Sequence, residues 1–251
     1  MTLKNEDKSI ILNLAMRKSL LAQFSFHLYL VIKKPDEVSM VSKEETFLFV
    51  YNDHITTYGH LATVQSLLTK HPTLKIGDRV KLYFPSHHSP AIEARFEDLD
   101  DFSNLICLYL DKSLFVPKRQ TKPGKRIKLD QLRELNPDLA ELSKDGIVYG
   151  SIENNELVSI APIPFIIEMQ QLSYAFMEGV WTKEDLRGNG YATGSVRSIL
   201  NFLFTRKAIR TVFCWVDEKN EPAMKLFERI GFQAATAQEW VTTQGFVKDL
   251  R

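Results

Sequence analysis

Apolar residues recur at helical spacing in two stretches of the C-terminal half, and an apolar run of strand length stands before each. Ala192, Val196, Ile199, Leu200, Leu203 and Phe204 fall on one face, so this helix buries a stripe against a neighbouring layer. Ala223, Leu226, Phe227 and Ile230 make a second stripe, with Asn220 placed to cap it, Pro222 suited to its first turn and Gly231 to stop it. Tyr174 to Thr182 and Thr211 to Val216 read as the strands that lead into these helices. Upstream, 146–153 and 156–162 form a hairpin about Asn154-Asn155, a pair that tolerates the left-handed conformations of a tight turn. A short helix bearing Leu129, Leu132 and Leu135 ends near Asn136-Pro137, and Gln233 to Val241 and Gly245 to Leu250 read as closing strands.

The N-terminal half mixes the two periodicities: a helix over Ile10 to Phe24, a strand over Thr46 to Tyr51, a helix over His60 to Leu68, and strands over Arg79 to Phe84 and Leu105 to Leu110. Between the halves the chain turns polar, basic and turn-rich from Pro117 to Arg126, which reads as a linker or a long loop. Composition therefore divides the chain into a smaller α/β domain over 1–117, a basic linker over 118–127 and a second domain over 128–251.

Charge and composition exclude more than they specify. The 251 residues are 44% hydrophobic and 25% charged with a net charge of +1, so no global field draws nucleic acid or an anionic membrane. Six basic residues from Lys118 to Lys128 lack the interleaved aromatics that stack on bases, so they read as a solvated connector, and nucleic acid is disfavoured as a partner. Cys107 and Cys214 sit in apolar runs and read as buried free thiols suited to the cytoplasm. The histidines, His27, His54, His60, His71, His87 and His88, have spacings that make no metal set. Arg17, Lys18 and His27 interrupt the N-terminal apolar stretches, which argues against a signal peptide or a membrane span.

The chemistry concentrates in Val180-Trp181-Thr182-Lys183-Glu184-Asp185-Leu186-Arg187-Gly188-Asn189-Gly190-Tyr191-Ala192, where a strand enters a basic, glycine-rich turn that opens a helix. Glycines let the backbone approach phosphate oxygens, and the first helical turn offers unpaired N–H groups at the positive end of the helix dipole. Such a turn is suited to a pyrophosphate. A dinucleotide-binding unit would share it, but Thr193 holds the place of the third glycine and Gly194 comes one residue late.

Arg187-x-x-Gly190-x-Ala192 resembles the acyl-CoA-binding signature of the GNAT superfamily of N-acetyltransferases, and Asn220 through Phe232 resembles its second signature, Asn-x-x-Ala-x-x-Leu-Tyr-x-x-x-Gly-Phe. The resemblance covers about residues 128 to 251. It implies an α/β (α+β) fold with a mixed, mostly antiparallel sheet flanked by helices. Two-domain members exist whose N-terminal half is a decayed copy, and Glu178-Gly179-Val180-Trp181-Thr182 before the turn is similar to the glycine N-acyltransferase-like branch. The tandem reading is therefore favoured for residues 1–117.

The implied activity is attack by a primary amine, on a small molecule or a peptide, at the thioester of acetyl-CoA bound as co-substrate without a metal. Carried onto this sequence, Val180, Trp181 and Thr182 meet the pantetheine arm, Arg187, Gly188, Asn189, Gly190, Tyr191, Ala192 and Thr193 hold the pyrophosphate, and Asn220 and Phe227 complete the cofactor side. Glu178 shares a strand face with Val180 and is the first candidate for the base, with Glu168 and the histidines in reserve. Phe227 stands where the family often has a tyrosine that protonates the leaving thiolate, so Tyr191 or Tyr174 is a substitute acid. A non-catalytic acyl-CoA-binding module is the alternative, and the chain is expected to act as a monomer or homodimer.

Overall fold

This computed structural model describes residues 5–16, 18–70, 74–144, 146–168, 173–207, 209–235 and 240–248. The expectations for His71 and for the strand segments 236–239 and 249–250 lie outside them. Packing groups the chain into two units, Met1–Ile106 with Asp217–Lys219 and Thr236–Arg251, and Cys107–Val216 with Asn220–Ala235.

In the first unit, helices α1 (Asn5–Met16) and α2 (Lys18–Lys33) replace the single helix read over Ile10 to Phe24. Strands β1 (Val38–Lys43), β2 (Thr46–Tyr51) and β3 (His54–Tyr58) then form an antiparallel meander. Helix α3 (Leu61–Lys70) carries the chain across to β4 (Arg79–Pro85), which pairs with β3 in parallel. Helix α4 (Ser89–Arg95) leads into the long strand β5 (Phe96–Asp111), within which the division between the units falls. Leu48, Ile55, Val64, Leu68, Leu82 and Phe84 are central to this core.

Strand β1 escapes the sequence pattern because its alternation lasts only from Val38 to Met40, and β3 because His54, Thr56 and Thr57 fill most of it. Thr56 and Thr57 are both buried in β3, and each is satisfied by a histidine. The Gly59 carbonyl can only accept, so His88 Nε2 donates to it at 2.9 Å and Nδ1 accepts from the Thr57 hydroxyl at 2.9 Å. Burial, aided by neighbouring His87 and opposed by the Gly59 carbonyl, lowers the His88 pKa to about 4. Below pH 6.5 the unfolded chain binds a proton that the folded one refuses, so stability falls as pH drops from 6.5 towards 4. From pH 7.5 to 5.5 the native chain is expected to lose about 1 kcal/mol at this residue, after a discount for solvent screening, or about 3 °C in Tm. His88→Gln should be less stable at both pH values and should lose that part of the pH slope in parallel melts.

The second unit opens with β6 (Lys125–Ile127), α5 (Leu129–Leu135) and α6 (Pro137–Leu142), the last capped by the Asn136 side chain, which accepts from the Leu139 N–H at 3.1 Å. The hairpin of β7 (Ile147–Glu153) and β8 (Glu156–Ile163) turns through Asn154 and Asn155, both at positive φ, as read from the sequence. Strands β9 (Phe165–Glu168), β10 (Ser173–Met177) and β11 (Trp181–Thr182) follow, then α7 (Tyr191–Arg206), β12 (Thr211–Asp217), α8 (Glu221–Ile230) and β13 (Gln233–Ala234). Strands β6, β7, β8 and β11 form one antiparallel sheet, while β9 pairs with β10 antiparallel and β10 with β12 in parallel. The expected mixed, mostly antiparallel sheet flanked by helices is present.

Composition puts boundaries at 117 and 128, whereas packing follows backbone pairing. The closing strand β14 (Trp240–Val247) pairs with β4 and the first part of β5, so it belongs to the first unit. The basic stretch is no free linker: Lys125–Ile127 is a strand, and the Lys122 carbonyl lies against α7 at Gly194. Both cysteines are free and buried, with burial pushing the Cys107 thiol up to about 12 and Cys214 up as well. Among the described residues, no helix is long and apolar enough to cross a membrane and no group of His, Cys, Asp and Glu could hold a metal.

Candidate functional site

The strand read as continuous from Tyr174 to Thr182 breaks in the middle. Strand β10 runs beside β12 from Tyr174 opposite Thr211 to Met177 opposite Cys214, then leaves the ladder at 178–180, where Gly179 takes φ +70°. When pairing resumes, Trp181 and Thr182 face Ile160 and Ser159 of β8 in the other sheet. Two adjacent parallel strands therefore part after Met177 and Cys214. The break also corrects one expectation: strand alternation does not run through 178–180, so it cannot place Glu178 and Val180 on a common face. Glu178 is exposed within the break.

Beyond Thr182 the chain makes the glycine turn. Gly188 at φ +78° and Gly190 at φ +83° both need the left-handed region, and Gly190 is the N-cap of α7. A Cβ at either would meet no atom within 4 Å, so the turn borders open space. The Asn189 side chain donates to the Leu186 and Arg187 carbonyls, each at 3.2 Å, and holds the turn's shape. By helix geometry the N–H groups of Tyr191, Ala192 and Thr193 have no acceptor within α7, and the dipole's positive end lies there. Arg187 stays exposed, its Nε 3.4 Å from the Thr182 carbonyl and its guanidinium 3.8 Å from Glu184.

Helix α7 is anchored firmly. Ser195 and Thr182 both donate to the Ser159 hydroxyl, at 3.3 and 3.0 Å, which ties the helix, β11 and β8 together. Val196, Ile199, Leu200, Leu203 and Phe204 are buried, as their spacing predicts.

The two substitute acids are otherwise engaged. Tyr191, 4% exposed, donates its hydroxyl to Glu153 at 2.6 Å, and the Lys122 ammonium sits 3.6 Å from its ring centre. Tyr174 is buried in β10, and burial raises its phenol further above the usual value. With one hydroxyl given to Glu153 and the other enclosed in the core, neither is placed to donate to a ligand. Phe227 is buried and packs edge-on against Phe232 with ring centres 5.0 Å apart. Asn220 accepts from the Ala223 N–H at 3.2 Å as the expected cap of α8, and Gly231 ends that helix at φ +115°.

Sequence reasoning missed Lys122 and Glu153, the partners of Tyr191, because they lie 69 and 38 positions away from it. It also missed Arg197, whose one signal is that it is the only charge in α7 before the terminal Arg206.

A family model described as FR47-like protein matches residues 157–241. No curated protein sequence matches the chain. Among solved structures, a Drosophila protein is 12% identical with a TM-score of 0.69, over 98% of both chains. A GCN5-related N-acetyltransferase from Kribbella flavida is 10% identical with a TM-score of 0.61, over 91% of this chain and 95% of its own. A tandem GNAT protein from the clavulanic acid biosynthesis pathway is 12% identical with a TM-score of 0.57, over 100% and 98%.

Proposed function

Because this chain has the fold of the GNAT acetyltransferases and carries an FR47-like segment over residues 157–241, we propose that it moves an acetyl or short acyl group from acyl-CoA to a primary amine. The observation that carries this reading is the conjunction of strands that part after Met177 and Cys214 with the open glycine turn at the start of α7. In this reading an extended arm lies in the parting, beside the backbone of Val180, Trp181 and Thr182. The turn offers successive N–H groups and a dipole to a pyrophosphate at the other end. Acyl-CoA supplies the thioester. The chain supplies position and donors, which favour attack by an amine held beside it.

Glu178 takes the amine proton in this reading, directly or through water, because it is exposed at the break where the acyl end would lie. With Tyr191 tied to Glu153 and Tyr174 buried, solvent protonates the departing thiolate, a tolerable leaving group with a pKa of about 8.5. Phe227 favours a second reading, a module that binds acyl-CoA without turnover.

The tandem reading of the first unit rests on repeated order. Each unit runs through two helices, an antiparallel hairpin, a helix, a strand parallel to one that preceded that helix, and another helix; the second unit adds β6 at its start and has β9, β10 and β11 where the first has only β3. The full-length match to a tandem GNAT protein supports it. In the first unit only Gly59 and His60 join β3 to α3, and His88 holds the Gly59 carbonyl, so this copy has lost the phosphate turn.

Thiol release from acetyl-CoA with a panel of primary amines tests the proposal. Turnover is expected, and Glu178→Gln should lower kcat about a hundredfold with little change in KM for acetyl-CoA. A Tm raised by acetyl-CoA without thiol release would select the binding module. A Tm raised by NAD alone, or by neither, would remove both readings.

A further inference from the structure

The stretch Phe115–Pro123 and the outer side of α7 border a partly open hollow of about 340 Å³ that takes no part in the site above. Its polar lining is Lys118, Arg119, Gln120, Arg197, Ser198 and Asn201, three cations with no carboxylate among them. Arg197 is the unusual member. Only 7% exposed, it donates to the Val116 carbonyl at 3.0 Å and to the Arg229 carbonyl at 3.3 Å. Two carbonyls, one of them in the last turn of α8, steady the cation but leave several of its five N–H donors over and do not neutralise it.

Arg197 has no ion-pair partner among the described residues, and burial without a counter-charge draws its pKa below the ordinary arginine value. The guanidinium remains charged nonetheless, so among the described residues a buried cation with carbonyl partners but no carboxylate borders an open volume. Lys118 and Arg119 raise the positive potential of the same hollow. A guanidinium fork matches two oxygens of a carboxylate or phosphate, and Phe115 and the prolines give an apolar wall. The volume suits a small molecule.

We propose that this hollow binds a compact organic anion bearing carboxylate or phosphate groups, with Arg197 as its central ligand and Lys118 and Arg119 at the rim. The site stands whether or not the chain transfers acyl groups.

Isothermal titration of the full chain with citrate, and separately with glycerol 3-phosphate, tests it, each in saturating CoA to keep the glycine turn occupied. One or both anions should bind, and which one does identifies the oxyanion the site prefers. Arg197→Gln should abolish binding. Because that change also disturbs two carbonyls, the exposed pair Lys118→Ala with Arg119→Ala is the safer variant, and it should weaken binding about tenfold or more. Absence of binding by both anions, binding that appears only without CoA, or binding indifferent to the Lys118 and Arg119 changes would each overturn the proposal.

Discussion

Gly190→Glu is expected to lower acetyl-CoA affinity by about a hundredfold or more, the equivalent of about 2.7 kcal/mol, while the chain still folds. Two effects combine. Gly190 holds φ +83°, where a residue with a side chain costs about 1–2 kcal/mol, but no atom lies within 4 Å of the new Cβ to force the turn apart. The carboxylate would also stand at the N-terminus of α7, in the place proposed for the pyrophosphate, and repel it. Gly190→Ala separates the two, since it keeps the backbone cost without the charge, and should lower Tm with little change in affinity. Arg187→Ala should cost only a few-fold, because the side chain is 63% exposed and already near Glu184. Calorimetric titration with CoA checks all three, and native affinity in the glutamate variant would move the pyrophosphate away from this turn.

Gly194→Ala is expected to destabilise the chain by about 3 kcal/mol, against the usual effect of that exchange. In a helix interior alanine is favoured over glycine by about 1 kcal/mol. Here its Cβ would stand 1.7 Å from the Lys122 carbonyl oxygen and 2.8 Å from that carbonyl carbon, both backbone atoms. Either the crossing segment lifts from α7 or the helix shifts, and Gly124, whose own Cβ would be 2.8 Å from the Ser195 Cα, leaves no slack. Urea unfolding measures the loss. A neutral or stabilising result would mean that 118–124 is the loose connector its composition suggests.

That glycine shows how far local pattern reaches. From the sequence Gly194 is a misplaced third glycine of a dinucleotide turn; in the fold it is the point where another segment crosses the helix. By contrast Gly188, Gly190 and Gly231 are legible, because a turn into a helix and a stop after one both call locally for positive φ. Helices α7 and α8 and the Asn154-Asn155 hairpin are legible for the same reason, since periodicity and turn chemistry act within a few residues. Strand β3 is not, because its buried threonines become acceptable only when His27 and His88 arrive from 29 and 31 positions away.

The amino-acid sequence by itself determined the β7–β8 hairpin, β12, helices α7 and α8 with the Asn220 and Gly231 caps, and the glycine turn that makes a pyrophosphate site conceivable. Those follow from backbone sterics and apolar spacing, which need no distant partner. Tertiary structure decided the parting of β10 from β12, the transfer of β14 to the first unit, the tie of Tyr191 to Glu153, the packing of the basic stretch across α7 and the burial of Arg197 against two carbonyls. Each of these depends on which backbone ladder or buried polar group is satisfied by residues far along the chain, and local composition carries no record of that choice.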